Sequence, residues 1–137
     1  MSRPTSAVRL IRSAALTDTS PYAYAATTEA AARLVFTAGA CPLDEAGETV
    51  APGDLAAQAR QCVANLVTAL ESAGATLEDV AYTRVLVATT AREDLVAAWT
   101  VVHDVFGEHE VPSTLHGVTV LGYRDQLVEI EAVAALR

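Results

Sequence analysis

Two stretches of helical periodicity, each closed by a glycine, sit among segments patterned as strands, and that interleaving leaves few folds open to the chain. The first stretch runs from about Asp54 to Ala73, where Leu55, Ala59, Cys62, Val63, Leu66 and Leu70 recur on one side. Asp54, after Pro52-Gly53, is placed to cap its start, and Gly74 stands where a left-handed C-terminal residue belongs. The second runs from about Ala91 to Phe106, with a stripe of Leu95, Ala98, Trp99, Val102 and Phe106. Thr90 and Glu93 predict a capping box there, and Gly107 the end. Strands are expected at Val8–Arg12, Tyr22–Thr27, Arg33–Ala38, Tyr82–Ala88, Thr114–Leu121 and Leu127–Ala134. Gly39, the Asp44–Gly47 turn and Gly122–Asp125 punctuate them. The order β-β-β-α-β-α-β-β has no linker long enough to split it, so one α+β domain over residues 1–137 is expected. Its two helices should lie on one face of a mixed sheet, joined by right-handed crossovers. The other face is left bare, which predicts an oligomer built on copies of that face.

The last strand gives that bare face chemical content. Val128, Ile130, Ala132 and Ala134 alternate toward the helices, while Glu129, Glu131 and Val133 fall on the other side. Two readings stand level. Both glutamates are solvated on an exposed face, or neighbouring subunits cover the face and enclose one of them as a proton-transfer group.

Composition removes several function classes. Apolar residues make up 52% of the chain, which supports a packed core, and the net charge of −8 repels phosphate backbones. Non-specific nucleic-acid binding is therefore not expected. All nine cations are arginines, so Schiff-base lysine chemistry, pyridoxal attachment and a phosphate-loop lysine are excluded. Cys41 and Cys62 form no paired motif, and His103, His109 and His116 have no zincin-like spacing. No metal or other cofactor is expected, and a reducing cytoplasm is the default compartment. No apolar run is long enough to span a bilayer. Residues 1–16 carry three arginines and no acid, but Arg9 and Arg12 interrupt any signal-like apolar stretch, and an ordinary first strand is expected there.

Several segments together resemble the Rid (reactive intermediate deaminase) family, also called YjgF or endoribonuclease L-PSP proteins. They are Ser20-Pro21-Tyr22, Thr37-Ala38-Gly39-Ala40-Cys41-Pro42, Gln58-Ala59-Arg60-Gln61 with Asn65, Gly74-Ala75, Asp79-Val80, Val85-Leu86-Val87, and the strand Val128-Glu129-Ile130-Glu131-Ala132-Val133-Ala134. No single piece is specific, but the ordered set covers almost everything from Ser20 onward. The resemblance implies a chorismate-mutase-like fold, a homotrimer with clefts between subunits, and cofactor-free hydrolysis of reactive enamines or imines to a ketone or keto acid plus ammonia. It implies that Glu129 positions the attacking water and that Tyr22 lines the cleft. Thr114, Leu115, Gly39 and Cys41 fall at positions that would contact substrate, with Cys41 near the cleft floor. Nothing in the sequence near Cys41 would lower its pKa, which argues against a nucleophile.

One departure from the family pattern is informative. Where typical members carry an arginine two residues after a proline, clamping the substrate carboxylate, this chain reads Pro112-Ser113-Thr114-Leu115-His116. A hydrogen bond to a charged group contributes about 1.5–3 kcal/mol, and an arginine fork supplies two, so simple α-imino acids should bind weakly. Arg33, Arg84 and Arg124 are the candidates for a substitute cation. His116 shares a strand face with Thr114 and is read either as a proton shuttle with Glu129 or as an interface histidine bonded to backbone. Trp99 is read as a core or interface aromatic, or as a wall narrowing the cleft. His103 and His109 are expected at the surface or an interface.

The leading expectation is an enzyme acting on an enamine or imine by hydrolytic deamination, tautomerisation or ring closure, on a substrate that lacks or does not use a free α-carboxylate. The alternative is a non-catalytic trimer that binds a small metabolite. RNA cleavage, suggested by one family name, is opposed by the acidic charge and the absence of lysine.

Overall fold

The computed structural model describes residues 6–137; the first five residues of the expected N-terminal strand region lie outside them. The elements are β1 (Val8–Ile11), β2 (Ala25–Thr28), β3 (Arg33–Phe36), α1 (Leu55–Ser72), a 3-10 turn at Leu77–Asp79, β4 (Val80–Ala88), α2 (Arg92–Phe106), β5 (Ser113–Val118) and β6 (Val128–Leu136). The order matches the sequence pattern. Four strands form a mixed sheet in the order β3-β6-β4-β5, with β4 and β5 parallel and β6 antiparallel to both β3 and β4. Both helices therefore serve as crossovers between parallel strands, α1 from β3 to β4 and α2 from β4 to β5.

The first two strands depart from the expectation of one sheet. They form a separate two-stranded ladder, from Val8↔Thr28 to Ile11↔Ala25. β2 is Ala-Ala-Thr-Thr and mostly exposed, so it has little apolar area with which to extend the main sheet. It also begins later than predicted. The Ser20 hydroxyl donates to the Tyr22 carbonyl and the Ala23 N–H to the Glu110 carbonyl, which draws these groups away from the ladder. Arg137 Nε binds the Glu29 carboxylate at 3.0 Å and fastens the hairpin to the end of β6.

Asp54 caps α1 as expected, accepting from the Ala57 N–H at 3.0 Å, and Gly74 follows it at φ 82°. For α2 the predicted Thr90–Glu93 box does not form, because the helix starts one residue later with Ala91 at the cap position. Thr89 does the work instead: its Oγ1 accepts from the Ala91 N–H at 2.9 Å and donates to Asp94 at 2.6 Å. β5 stops at Val118 because its partner β4 ends opposite it, whereas β6 continues to Leu136 along β3.

The core lies between helices and sheet. Ala59, Cys62, Val63, Leu66 and Leu70 of α1, with Ala98, Val102 and Phe106 of α2, pack on Val85, Val87, Val128, Ile130, Ala132 and Ala134. Each fully buried leucine or isoleucine contributes about 1.5–3 kcal/mol by leaving water. The opposite sheet face is open, and on it Phe36 is 72% and Leu34 51% exposed. Among the described residues no helix is long and apolar enough to cross a membrane.

Candidate functional site

β6 alternates as the sequence predicts: Val128, Ile130, Ala132 and Ala134 are buried, while Glu129, Glu131 and Val133 face the open side. Strand register lines up two rows of side chains on that face. One row is Glu129, Leu86 and His116, and the next is Glu131, Arg84 and Thr114. Neighbouring strands lie about 4.8 Å apart, so Glu129 and His116 are separated by about 10 Å with Leu86 between them. They share a face but do not touch. His116 is exposed.

Glu129 is held by residues of the chain after β3 and of the loop before β6. β3 ends at Phe36, where Thr37 bonds both backbone groups of Ala132 through its hydroxyl, and pairing resumes only at the Ala40↔Ile130 bridge. The intervening bend lays Gly39 against Glu129, so closely that a Cβ there would fall within 2.8 Å of the Glu129 Cγ. Glycine is needed here for approach, not for its φ angle. Glu129 Oε1 accepts from Cys41 Sγ at 3.2 Å and from Gln126 Nε2 at 3.3 Å. Among the described residues Oε2 accepts no hydrogen bond. Burial, then the hydrogen bond to Glu129 and its charge, push the Cys41 thiol from an ordinary 9.0 up to about 11. A thiol so held is a donor to Glu129, and the expectation that Cys41 is no nucleophile agrees with this.

Three buried or half-buried amides hold this cluster. Gln126 Oε1 accepts from the Tyr123 N–H at 3.0 Å, which turns its amide nitrogen toward Val128 O and Glu129. Gln58, fully buried on α1, donates to Asp125 O at 2.9 Å and accepts from the Leu127 N–H at 2.8 Å. Asn65, two helical turns further along, donates to the carbonyls of Cys41 and Leu43 at 2.8 and 2.9 Å. The sequence reading assigned Gln126 no role. Its strand parity with Val128 was the available signal, since a glutamine on the core side must find partners.

The second cluster lies at the β5 edge. Pro21, Tyr22, Trp99, Ser113, Thr114 and Leu115 line a cavity of about 450 Å³. Thr114 reaches it from the open face and Leu115 from the helix face, because the strand alternates. Tyr22 meets Trp99 edge-on at 6.4 Å between ring centroids, and Trp99 stacks on His103 at 5.9 Å. Trp99 is thus a wall of the cavity, half-buried. The segment carrying Tyr22 is pinned from outside: Arg12 donates to the Ser20 carbonyl at 3.1 Å and pairs with Glu110, which also meets His103 at 3.1 Å. His109 binds the Val80 carbonyl at 2.8 Å and does not line the cavity of the second cluster.

Of the three substitute cations considered, only Arg84 is beside Thr114 in the register; Arg33 lies opposite Leu136 on β3, and Arg124 in the loop before β6. Arg84 pairs with Glu131, Nε and Nη2 both reaching Oε1 at 2.6 and 2.5 Å. Thr114 Oγ1 is joined to the Tyr82 hydroxyl at 2.9 Å.

Known proteins share this arrangement of elements. The sequence matches the family described as Endoribonuclease L-PSP over residues 13–136. A RutC family protein of Pyrococcus horikoshii is 34% identical over 104 residues, covering 76% of this chain and 80% of the relative. A counterpart from Pyrococcus abyssi is 36% identical over 101 residues, covering 73% and 76%. A Rid family protein of Yersinia pestis superimposes with a TM-score of 0.86 at 30% identity, covering 95% of this chain and 99% of the other. The YjgF gene product of E. coli superimposes at 0.66 with 29% identity, covering 87% and 91%. With two helices on a mixed sheet and a family match along nearly its whole length, the chain belongs to the Rid, or YjgF/L-PSP, family.

Proposed function

We propose that this protein hydrolyses a reactive imine, or the enamine in equilibrium with it, to a carbonyl compound and ammonia, with Glu129 as the proton-handling group. The supporting observation is the state of its carboxylate: Oε1 holds two donors, and Oε2 is left to accept from water. Water donates one proton to Oε2 as its oxygen bonds to the imine carbon, and Glu129 passes that proton to the nitrogen. Glu129 then takes the carbinolamine's hydroxyl proton and delivers it to the nitrogen as the C–N bond breaks, so both protons of the water leave with the ammonia. Tyr22, Trp99, Thr114 and Leu115 would hold the organic part of the substrate. Within one chain the two clusters stand about 10 Å or more apart across the sheet, too far to close on one small molecule, so a homotrimer whose neighbours complete the cleft belongs to this reading. His116 lies two strands from Glu129 on the same row, so in this reading it would serve a cleft completed by a neighbouring subunit and not Glu129 of its own chain.

Ammonia release from imines made in place by an amine or amino-acid oxidase tests the proposal. Glu129→Gln should lower the enzyme-dependent rate by about 10²–10⁴-fold, the usual worth of a positioned acid–base group. Equal rates for the two proteins would remove Glu129 from the chemistry. Light scattering should give three times the chain mass, and a monomer would leave the cleft unbuilt. A second reading, binding without turnover, draws on Thr114 standing where the family clamp is expected. Ligand-dependent thermal shifts without ammonia release across the imine panel would favour it.

A further inference from the structure

The row Glu131–Arg84–Thr114 carries information about substrate charge. A carboxylate arriving beside Thr114 finds one guanidinium in the adjacent register position, that of Arg84. That guanidinium is already turned to Glu131, with Nε and Nη2 converging on one carboxylate oxygen. A ligand carboxylate at millimolar concentration competes with a tethered one on the next strand, whose effective concentration is far higher. Glu129 adds a second negative charge two residues along β6 on the same face. The neighbouring polar groups, the Tyr82 and Thr114 hydroxyls, bond each other, so one of their two O–H donors is already used and neither brings a positive charge.

We propose that the Arg84–Glu131 pair is a charge filter, in which Glu131 withholds the cation a carboxylate would need. The inference rests on the proposed imine hydrolysis and narrows its substrate class. The imine or enamine is uncharged or cationic away from its C=N group, as one formed by oxidation of a primary amine would be, and not one formed from an α-amino acid. Glu131 is then a specificity-determining residue. Because the pair is partly exposed, its removal should leave folding nearly unchanged.

Binding without turnover provides the test. Pyruvate, which carries the carboxylate and carbonyl of an α-imino acid product, and uncharged pyruvamide are titrated by NMR into wild type, Glu131→Gln, Glu131→Ala and the double variant Glu131→Gln/Arg84→Ala. Freed Arg84 should raise pyruvate affinity on the order of tenfold or more in both single variants, the worth of a charge-assisted hydrogen bond. The gain should vanish in the double variant, and pyruvamide affinity should stay level throughout. Equal pyruvate affinity in wild type and both single variants, or a gain that survives loss of Arg84, overturns the filter. These titrations need no catalysis, so absence of ammonia release from every imine would sink the hydrolytic reading while leaving the filter to be judged by pyruvate alone.

Discussion

Replacing Gly39 by alanine should disable the site while leaving the fold nearly intact. Gly39 does not occupy the left-handed region, so alanine meets no backbone penalty there. The difficulty is spatial: the new Cβ would stand 2.5 Å from Glu129 Cδ and 2.8 Å from Cγ. Ordinary carbon contacts are about 3.5–4.0 Å, so the carboxylate must withdraw by about 1 Å. A displacement of that size at a reacting group costs about 10²-fold in rate, or about 2.7 kcal/mol of barrier. Overpacking costs about 1–3 kcal/mol in a closed core, and the low end applies because Glu129 can swing toward the open face. Melting should therefore fall by only about 4 °C. The thiol of Cys41 gives a readout that needs no substrate. Its elevation from 9.0 to about 11 is led by burial, with the Glu129 bond and charge next. Full reversal would raise thiolate at pH 8 by roughly a hundredfold, so moving Glu129 alone should speed iodoacetamide labelling by no more than about tenfold. Cys62 is fully buried and serves as the silent reference. Faster labelling with unchanged ammonia release would show that the carboxylate moved and did not matter, which would refute the role assigned to Glu129. Unchanged labelling would refute the close approach itself.

Other consequences can be checked more briefly. Gln126→Leu removes the partner of the Tyr123 N–H and one of the two donors to Glu129 Oε1, and urea denaturation should show a loss of about 1–3 kcal/mol. Leu66→Ala empties a fully buried position between α1 and the sheet and should cost about 2–5 kcal/mol in the same assay. Cys41 labelling should keep rising through pH 9.0 and level off only near 11. Because the folded thiol keeps its proton after the unfolded one has lost it, this group's contribution to stability is full below pH 9 and falls between 9 and 11. Urea midpoints at pH 8 and 10.5 should therefore converge in Cys41→Ser relative to wild type.

The periodic parts of the chain were the legible parts. Both helices, the Asp54 cap and the alternation of β6 follow from spacing alone, because burial of one face leaves no other register open. The α2 cap was misassigned by one position, since Thr89 and Thr90 are equivalent in sequence and only the Asp94 contact distinguishes them. The separate β1–β2 ladder was not foreseen. Its alternation looks like that of any edge strand, and what detaches it is the Ser20 and Glu110 bonding of the preceding loop, a long-range matter. At the site, the open-face position of Glu129 and the grouping of Tyr22 with Thr114 were expected. The pairing of Arg84 with Glu131 joins residues 47 positions apart and needed the strand register to be seen.

Gln58 and Asn65 project from the same rigid helix and grip different stretches of chain, one holding residues 125–127 and the other Cys41 and Leu43. Both flanks of Glu129 hang from a single rod, which decides where evolution or engineering may change loop length. The Asp44–Glu48 turn lies beyond the Leu43 grip and has room to grow or shrink while the carboxylate stays put. One residue inserted between Gly39 and Cys41 shifts the chain against its anchor and moves the acid.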